Sequence, residues 1–283
     1  MAKAFSEHLK PKNPKNALVV DALNLGFRWK HSGAKVFADS FIDTVQSLAK
    51  SYDCGKVIIT ADWGSSSYRR SIYPEYKGNR EELRAKQTEK EKQDFIDFIE
   101  EYNHTLLNLE AEGFPVIKFE KVEADDIAAY IVKHKDRLGI EKIWLVSSDR
   151  DWDLLINEDV SRFSYVTRKE TTNDNWNSFY PFTIEDYITF KCLKGDAGDN
   201  VKGIKGIGDK RAAQIIEEYG TVFDIYEALP IDSKYKYIQA LNENAELLLL
   251  NLELMDLLTY CEDAIGANNL AIIDDKVSEY MNV

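Results

Sequence analysis

Lys142-Ile143-Trp144-Leu145-Val146-Ser147-Ser148-Asp149-Arg150-Asp151-Trp152-Asp153 joins a short apolar run to aspartates at alternate positions. The run, Lys142–Ser147, is too brief for a helix and reads as a buried strand. The same pattern of an apolar run stopped by an aspartate recurs upstream, in Ala17–Asp21 (ALVVD) and Lys56–Asp62 (KVIITAD). Pro115–Phe119 (PVIKF) is a further strand candidate, and Arg162–Val166 alternates as another. Between them, Phe37–Tyr52 and Ile127–Leu138 carry apolar residues at helical spacing. Strands alternating with helices predict an α/β fold with a parallel sheet wrapped by helices. Ligands in such sheets bind at the carboxyl ends of the strands. Asp21, Asp62 and Asp149 are therefore expected to meet at one edge.

Outward from this core the pattern changes twice. Glu81–Gln93 (EELRAKQTEKEKQ) has good helix formers and almost no apolar face, and it is followed by a stripe of Phe95, Phe98, Ile99, Tyr102, Leu106 and Leu109. It reads either as a helix projecting into solvent and returning, or as a disordered charged insertion. After about Pro181 the strands give way to helical segments: Ile184–Leu193, Lys210–Tyr219, Val222–Leu229 and Ala245–Leu257. The expected organisation is a flexible tail over 1–16, a core over 17–182 with the projecting segment at about 68–112, and a helical region over 183–283.

Of 283 residues, 44% are hydrophobic, enough for a sizeable core, and the net charge is −13. No apolar run is long enough to span a membrane, and the N-terminal stretch lacks the apolar segment of a secretory signal. Cys54, Cys192 and Cys261 stand alone, which favours a reducing, cytosolic compartment. The acidic charge argues against a nucleic-acid partner unless it is concentrated around bound cations.

That concentration is visible. Beyond the strand-end aspartates, Glu123-Ala124-Asp125-Asp126 opens a helix and Gly195-Asp196-Ala197-Gly198-Asp199-Asn200 opens the helical region. Each has a plain alternative: helix caps, dipole complements, an Asx turn, and for Asp153 a cap or a solvent-facing side chain. Oxygen-only donors suit hard cations such as Mg²⁺, and no His/Cys set suits zinc. Two such ions ~4 Å apart would neutralise the carboxylates, activate a water and steady a leaving oxygen.

Taken in order, VVDALN, ITADW, VEADD, SSDRDWD and GDAGDN resemble the flap endonuclease/5′–3′ exonuclease family, especially its stand-alone bacteriophage members, from about Leu18 to about Cys261. The resemblance implies a PIN-like α/β nuclease core, a helical arch and a helix-three-turn-helix element at about 201–220. It implies metal ligation by Asp125, Asp149 and Asp151, with Asp21, Asp62 and Glu123 in the direct or water-bridged shell. Asp196 and Asp199 would hold the second ion, and Asp126 would be an outer ligand. Mg²⁺ is the implied cofactor, with Mn²⁺ substituting and K⁺ at the helix-three-turn-helix loop.

Tyr73-Pro74-Glu75-Tyr76-Lys77-Gly78-Asn79-Arg80 resembles the family's signature at the base of the arch. By that resemblance Lys77 and Arg80 contact the scissile phosphate, Tyr76 stacks on a terminal base, and Lys191 lies near the active site. Arg84 and Lys86 would belong to the arch. Gly203, Lys205, Gly206, Gly208, Lys210 and Arg211, in GIKGIGDKR, would grip duplex DNA through its backbone, glycines allowing close approach to phosphate. The expected partner is DNA with 5′ flaps, 5′ overhangs, nicks or gaps, bound by a monomer in a bacterial cytosol. A PIN-type ribonuclease and a non-enzymatic junction binder are the rival readings. The GIKGIG element disfavours the first, and retention of the whole acidic set the second.

Overall fold

The computed structural model describes residues 13–282. β1 (Asn13–Asp21) is followed by α1 (Ala22–Ser32) and α2 (Ala38–Ser51), then β2 (Cys54–Thr60). α3 (Ser67–Ile72), α4 (Gly78–Ala85) and α5 (Glu89–Ala111) precede β3 (Val116–Ile117), α6 (Ala124–Lys133) and β4 (Lys142–Val146). A 3-10 turn over Arg150–Leu155 leads to β5 (Val160–Ser164) and β6 (Lys169–Thr171). α7 (Tyr187–Lys194) runs into a small hairpin of β7 (Gly195–Asp196) and β8 (Val201–Lys202). Six helices complete the chain: α8 (Asp209–Tyr219), α9 (Val222–Ala228), α10 (Lys236–Glu243), α11 (Ala245–Met255), α12 (Leu257–Ile265) and α13 (Ala267–Asn282).

The main sheet has strand order β3-β2-β1-β4-β5-β6. Its first five strands are parallel and β6 is antiparallel. Ala17–Val20 in the central strand are wholly buried, as a strand covered on both faces requires. One face packs on α1, α2 and α5 through Phe41, Val45, Phe98 and Leu109. The other packs on α6, α12 and α13 through Ile127, Ile131, Cys261, Ile273 and Val277. A third core, with Ile204, Ile216, Leu241 and Leu248, binds α7–α11 together.

Four expectations change. The first strand starts at Asn13, so residues 13–16 of the expected tail belong to the sheet, while 1–12 lie outside the described residues. The charged segment is helical but broken: α4 ends at Ala85, and Thr88 restarts the chain with a capping box to Glu91. α1, for which the sequence reading gives no element, is helical, and Gly26 lets Phe98 and Tyr102 pack closely against it. Finally, α12 and α13 do not belong to the helical region's core. They return to cover the parallel sheet, where Lys56 Nζ donates to Tyr280 O at 2.7 Å and Lys276 Nζ to Val116 O at 2.7 Å.

Candidate functional site

Asp21 ends β1 and caps α1, its Oδ1 accepting from the Asn24 amide at 3.1 Å. Its Oδ2 accepts from Ser147 Oγ at 2.8 Å, which ties the ends of β1 and β4 together. Asp62 follows β2 and accepts from the Ala124 amide at 2.8 Å, so it fixes the start of α6. Asp125, in the first turn of α6, accepts from Trp152 Nε1 at 2.6 Å. Asp149 caps the 3-10 turn, accepting from the Asp151 amide at 2.9 Å. From the helical region, Asp196 Oδ1 accepts from the amides of Gly198 at 2.8 Å and Asp199 at 3.2 Å.

Two buried lysines are threaded among these groups. Lys77 Nζ lies 2.6 Å from Glu123 Oε1 and 3.5 Å from Asp199 Oδ2. Lys191 Nζ contacts Asp151 and lies 3.3 Å from Asp196 Oδ2. Arg80, half exposed, places Nη2 2.7 Å from Asp199 Oδ1. These contacts join the carboxylates at the sheet edge to the helical region across the same site.

The electrostatics divide the cluster. Burial, then repulsion from Asp62, pushes Asp21 up to about 8. Burial, then Asp149, holds Asp125 well above the usual carboxylate range. Burial raises Asp62 against the amide bond from Ala124, and Glu123 adds to the rise. Asp151 is pushed up to about 6, with burial leading, Lys191 opposing and Asp149 assisting. Burial works the same way on Glu123, but Lys77 and Arg69 outweigh it and hold that carboxyl low. Asp196 is also low, because Lys191 and two amides overcome its burial.

Among the described residues, no three carboxylates are drawn closely enough to hold an ion as they stand. The donor set nevertheless fits divalent cations. The donors are all oxygens, and their mutual repulsion is what bound positive charge relieves. Lys77 and Lys191 place ammonium groups among these carboxylates, which hold both lysines well above the usual range. Tyr102 adds a buried hydroxyl with no hydrogen-bond partner, within electrostatic reach of Asp62 and Asp21. The cluster opens on a cavity of ≈ 1060 Å³, lined by Asp21, Asp62, Glu123, Asp125 and Asp149 together with Lys77, Arg80 and Arg84.

The structure corrects several sequence-based assignments. Asp126 is wholly buried, and both its oxygens are taken by Arg69, each at 2.7 Å. Neither is left to ligate an ion, because one helical position turns Asp126 about 100° away from Asp125 and into the core. Asp153 is likewise buried, with Arg162 Nε 2.5 Å and Nη2 2.9 Å from its oxygens, and so does not face solvent. Tyr76 cannot stack on a terminal base as placed: its ring is 3% exposed, and its hydroxyl lies 2.9 Å from both Glu123 and Asp199. Gly203 is small for an internal reason. A Cβ there would meet Lys194 O at 1.9 Å, so the residue serves closure of the hairpin on α7 rather than approach to phosphate.

The remaining residues stay at the surface. Arg84 and Lys86 are exposed on and just after α4, but only Arg84 lines the cavity. Lys205 and Lys210 are exposed on the loop before α8 and in its first turn. Arg211 folds back, donating to Gly206 O at 2.6 Å and lying 4.6 Å over the Tyr237 ring. Gly206 holds φ +85°, a left-handed conformation that favours glycine, and Gly208 is open on its Cβ side. Asn251 Nδ2 donates to Cys192 O and Lys202 O, each at 2.8 Å, fixing this loop relative to Lys191.

Four residues in the site escaped the sequence reading: Arg69, Ser147, Trp152 and Tyr102. Arg69 and Ser147 lack any spacing signal. Trp152 sits between the aspartates, and a buried indole requires an acceptor. Tyr102 lies in the apolar stripe of α5 and reads as core.

A family model described as the 5′-3′ exonuclease N-terminal resolvase-like domain matches residues 16–180. A second, described as the 5′-3′ exonuclease C-terminal SAM fold, matches 182–276. The flap endonuclease of Escherichia phage T5 is 44% identical over 279 residues, covering 98% of this chain and 95% of that protein. A crystal structure of the phage T5 flap endonuclease, in a pseudo-enzyme–product complex with DNA and metal ions, superposes with a TM-score of 0.89 at 44% identity. It covers 95% of this chain and 100% of the other. A structure of the T5 5′-exonuclease with divalent zinc bound gives the same TM-score of 0.89 and 44% identity, covering 94% and 99% of the two chains. Matched by the two family models over residues 16–180 and 182–276, the chain belongs to the 5′-3′ exonuclease family.

Proposed function

We propose that the protein is a metal-dependent, structure-specific 5′ nuclease. It hydrolyses DNA phosphodiesters at flaps, overhangs, nicks and gaps, leaving a 5′-phosphate and a 3′-hydroxyl. The observation that carries this reading is the convergence of Asp21, Asp62, Asp125 and Asp149, from distant parts of the sequence, on one sheet edge under a wall of Lys77, Arg80 and Arg84. Of the two phage T5 structures named above, one is a complex with DNA and metal ions and the other has divalent zinc bound. The oxygen-only donor set here favours Mg²⁺, with Mn²⁺ as a substitute.

Asp125, Asp149 and Asp151, with Asp21, Asp62 and Glu123 in the direct or water-bridged shell, would hold one ion, and Asp196 and Asp199, with Asp151 near both ions, the other. Such ions, when bound, supply an activated water and stabilise the leaving oxygen. The chain's own residues do the rest. Lys77 and Arg80 leave their carboxylate partners for the non-bridging oxygens of the scissile phosphate, offsetting the negative charge that grows there. Tyr76 keeps Glu123 and Asp199 oriented through its hydroxyl. Lys205 and Lys210, with the exposed amides at the start of α8, grip duplex phosphates without reading sequence, and K⁺ would bind in the same loop. The relation to a phage flap endonuclease and to a bacterial DNA polymerase I supports primer removal and flap processing in a bacterial cytosol.

A cleavage assay in Mg²⁺ with labelled flap, blunt, circular and RNA-flap substrates tests this directly. Cutting confined to DNA with a free 5′ end is expected. Equal cutting of RNA flaps would favour the ribonuclease reading, and junction binding without cutting would favour a non-catalytic protein.

A further inference from the structure

Trp29, Trp152 and Trp176 are buried, whereas Trp63 is 54% exposed. An indole left in water forgoes about 1.5–3 kcal/mol of burial, so its position calls for a reason other than folding. Among the described residues it is also the one exposed large apolar side chain that lines the catalytic cavity. The others, such as Phe223, Tyr235 and Leu107, lie elsewhere.

The ring is presented from a fixed support. Trp63 O accepts from the Lys121 amide at 2.7 Å, and the Trp63 amide donates to Val122 O at 3.5 Å. Gly64, at φ +91°, turns the chain immediately afterwards. Trp63 is the residue after Asp62, one Cα–Cα step of about 3.8 Å away. Lys118 Nζ, which donates to Asn103 Oδ1 at 3.0 Å, sits 5.6 Å from the ring centroid and puts an ammonium group beside the aromatic face. A half-exposed indole on an anchored backbone, with an ammonium beside it, is an arrangement that can hold a base and its phosphate together without reading sequence.

We infer that Trp63 stacks on a nucleobase of the substrate within a nucleotide or two of the bond that is cut, and is a positioning residue for the reaction. The inference rests on the nuclease reading above. Stacking of this kind is made in the ground state and kept in the transition state, so its loss raises KM and leaves kcat nearly unchanged. Trp63→Ala and Trp63→Leu should both raise KM for a 5′-flap substrate about 5- to 100-fold. Trp63→Phe, which keeps a ring, should stay within about threefold of the parent.

The decisive measurement combines these variants with substrates that lack one base at each position on either side of the scissile phosphate. At one position the abasic site should raise KM for the parent protein and have no further effect on Trp63→Ala, a non-additivity that a merely structural tryptophan would not produce. The scan on the unaltered protein stands even if a variant folds poorly: if no abasic position near the cut changes KM, the inference is overturned. It is also overturned if Trp63→Ala and Trp63→Leu keep the parental KM, or if abasic and Trp63→Ala effects add at every position. Failure of the unaltered protein to cut intact flaps would instead sink the nuclease reading itself.

Discussion

The cavity edge of the sheet and the core behind it receive carboxylates from the same motifs and treat them in opposite ways. Asp125 and Asp126 are neighbours in one turn of α6, and Asp151 and Asp153 share one 3-10 turn. Asp126 and Asp153 point inward, and each is met by a buried arginine through two hydrogen bonds. Burial leaves the Asp126 carboxyl above the usual carboxylate range, with Arg69 opposing the rise. Arg69 also donates to Leu254 O at 2.8 Å, so the pair locks α3, α6 and α11 together. Asp125 has a tryptophan N–H and no arginine, and burial and Asp149 hold it well above the usual carboxylate range. The core therefore satisfies its acids internally, while the cavity leaves part of its negative charge to be met from outside. A cost of that kind persists where stability is given up for function.

Substitutions on the two sides should separate cleanly. Asp125→Asn or Asp149→Asn should lower the single-turnover cleavage rate about 10³-fold or more, with Tm in chelator unchanged or raised. Normal rates in Mg²⁺ would place these acids outside the chemistry. Asp126→Ala should instead cost about 3–5 kcal/mol in urea unfolding, because it strands the Arg69 charge in the core. A double change to Asp126→Leu and Arg69→Met should recover most of that loss. If Asp126→Ala unfolds normally and loses only cleavage, Asp126 belongs with the ligands after all.

Lys77 bridges the two environments. Lys77→Ala should lower kcat about 10²-fold and change KM little, since its phosphate contact strengthens in the transition state. A defect confined to KM would reduce it to a binding contact.

The smallest effect concerns pH. The folded protein raises the Asp21 pKa to about 8, so between the ordinary carboxylate range and pH 8 it holds a proton that the unfolded chain has released. Metal-free protein should lose stability as pH rises through that window, and Asp21→Asn should remove this part of the dependence. A pH profile in chelator that is unchanged by Asp21→Asn would contradict the assigned environment.

Much of this was legible in the chain. ALVVD, KVIITAD and KIWLVSSD each pair a buried strand with an aspartate at its carboxyl end, and parallel strands bring such ends together. Lys191 was harder to read, because helical position alone makes a lysine a surface residue. Its burial comes from Asp151 and Asp196, which arrive from two other elements. Tyr76 was misread because an aromatic beside a lysine and an arginine looks available for stacking. Only the approach of Glu123 and Asp199 gives its hydroxyl two oxygens and covers its ring.

By itself, the order of apolar runs, terminal aspartates and glycine-rich turns fixed the parallel sheet, the helical region and the edge where the acids gather, since those follow from local periodicity and from chain direction. Which acid of a neighbouring pair meets the cavity, which meets an arginine, and where α12 and α13 finally pack were settled by tertiary contacts. The physical reason is that burial and charge pairing depend on partners far away in sequence, and only the assembled core specifies who those partners are.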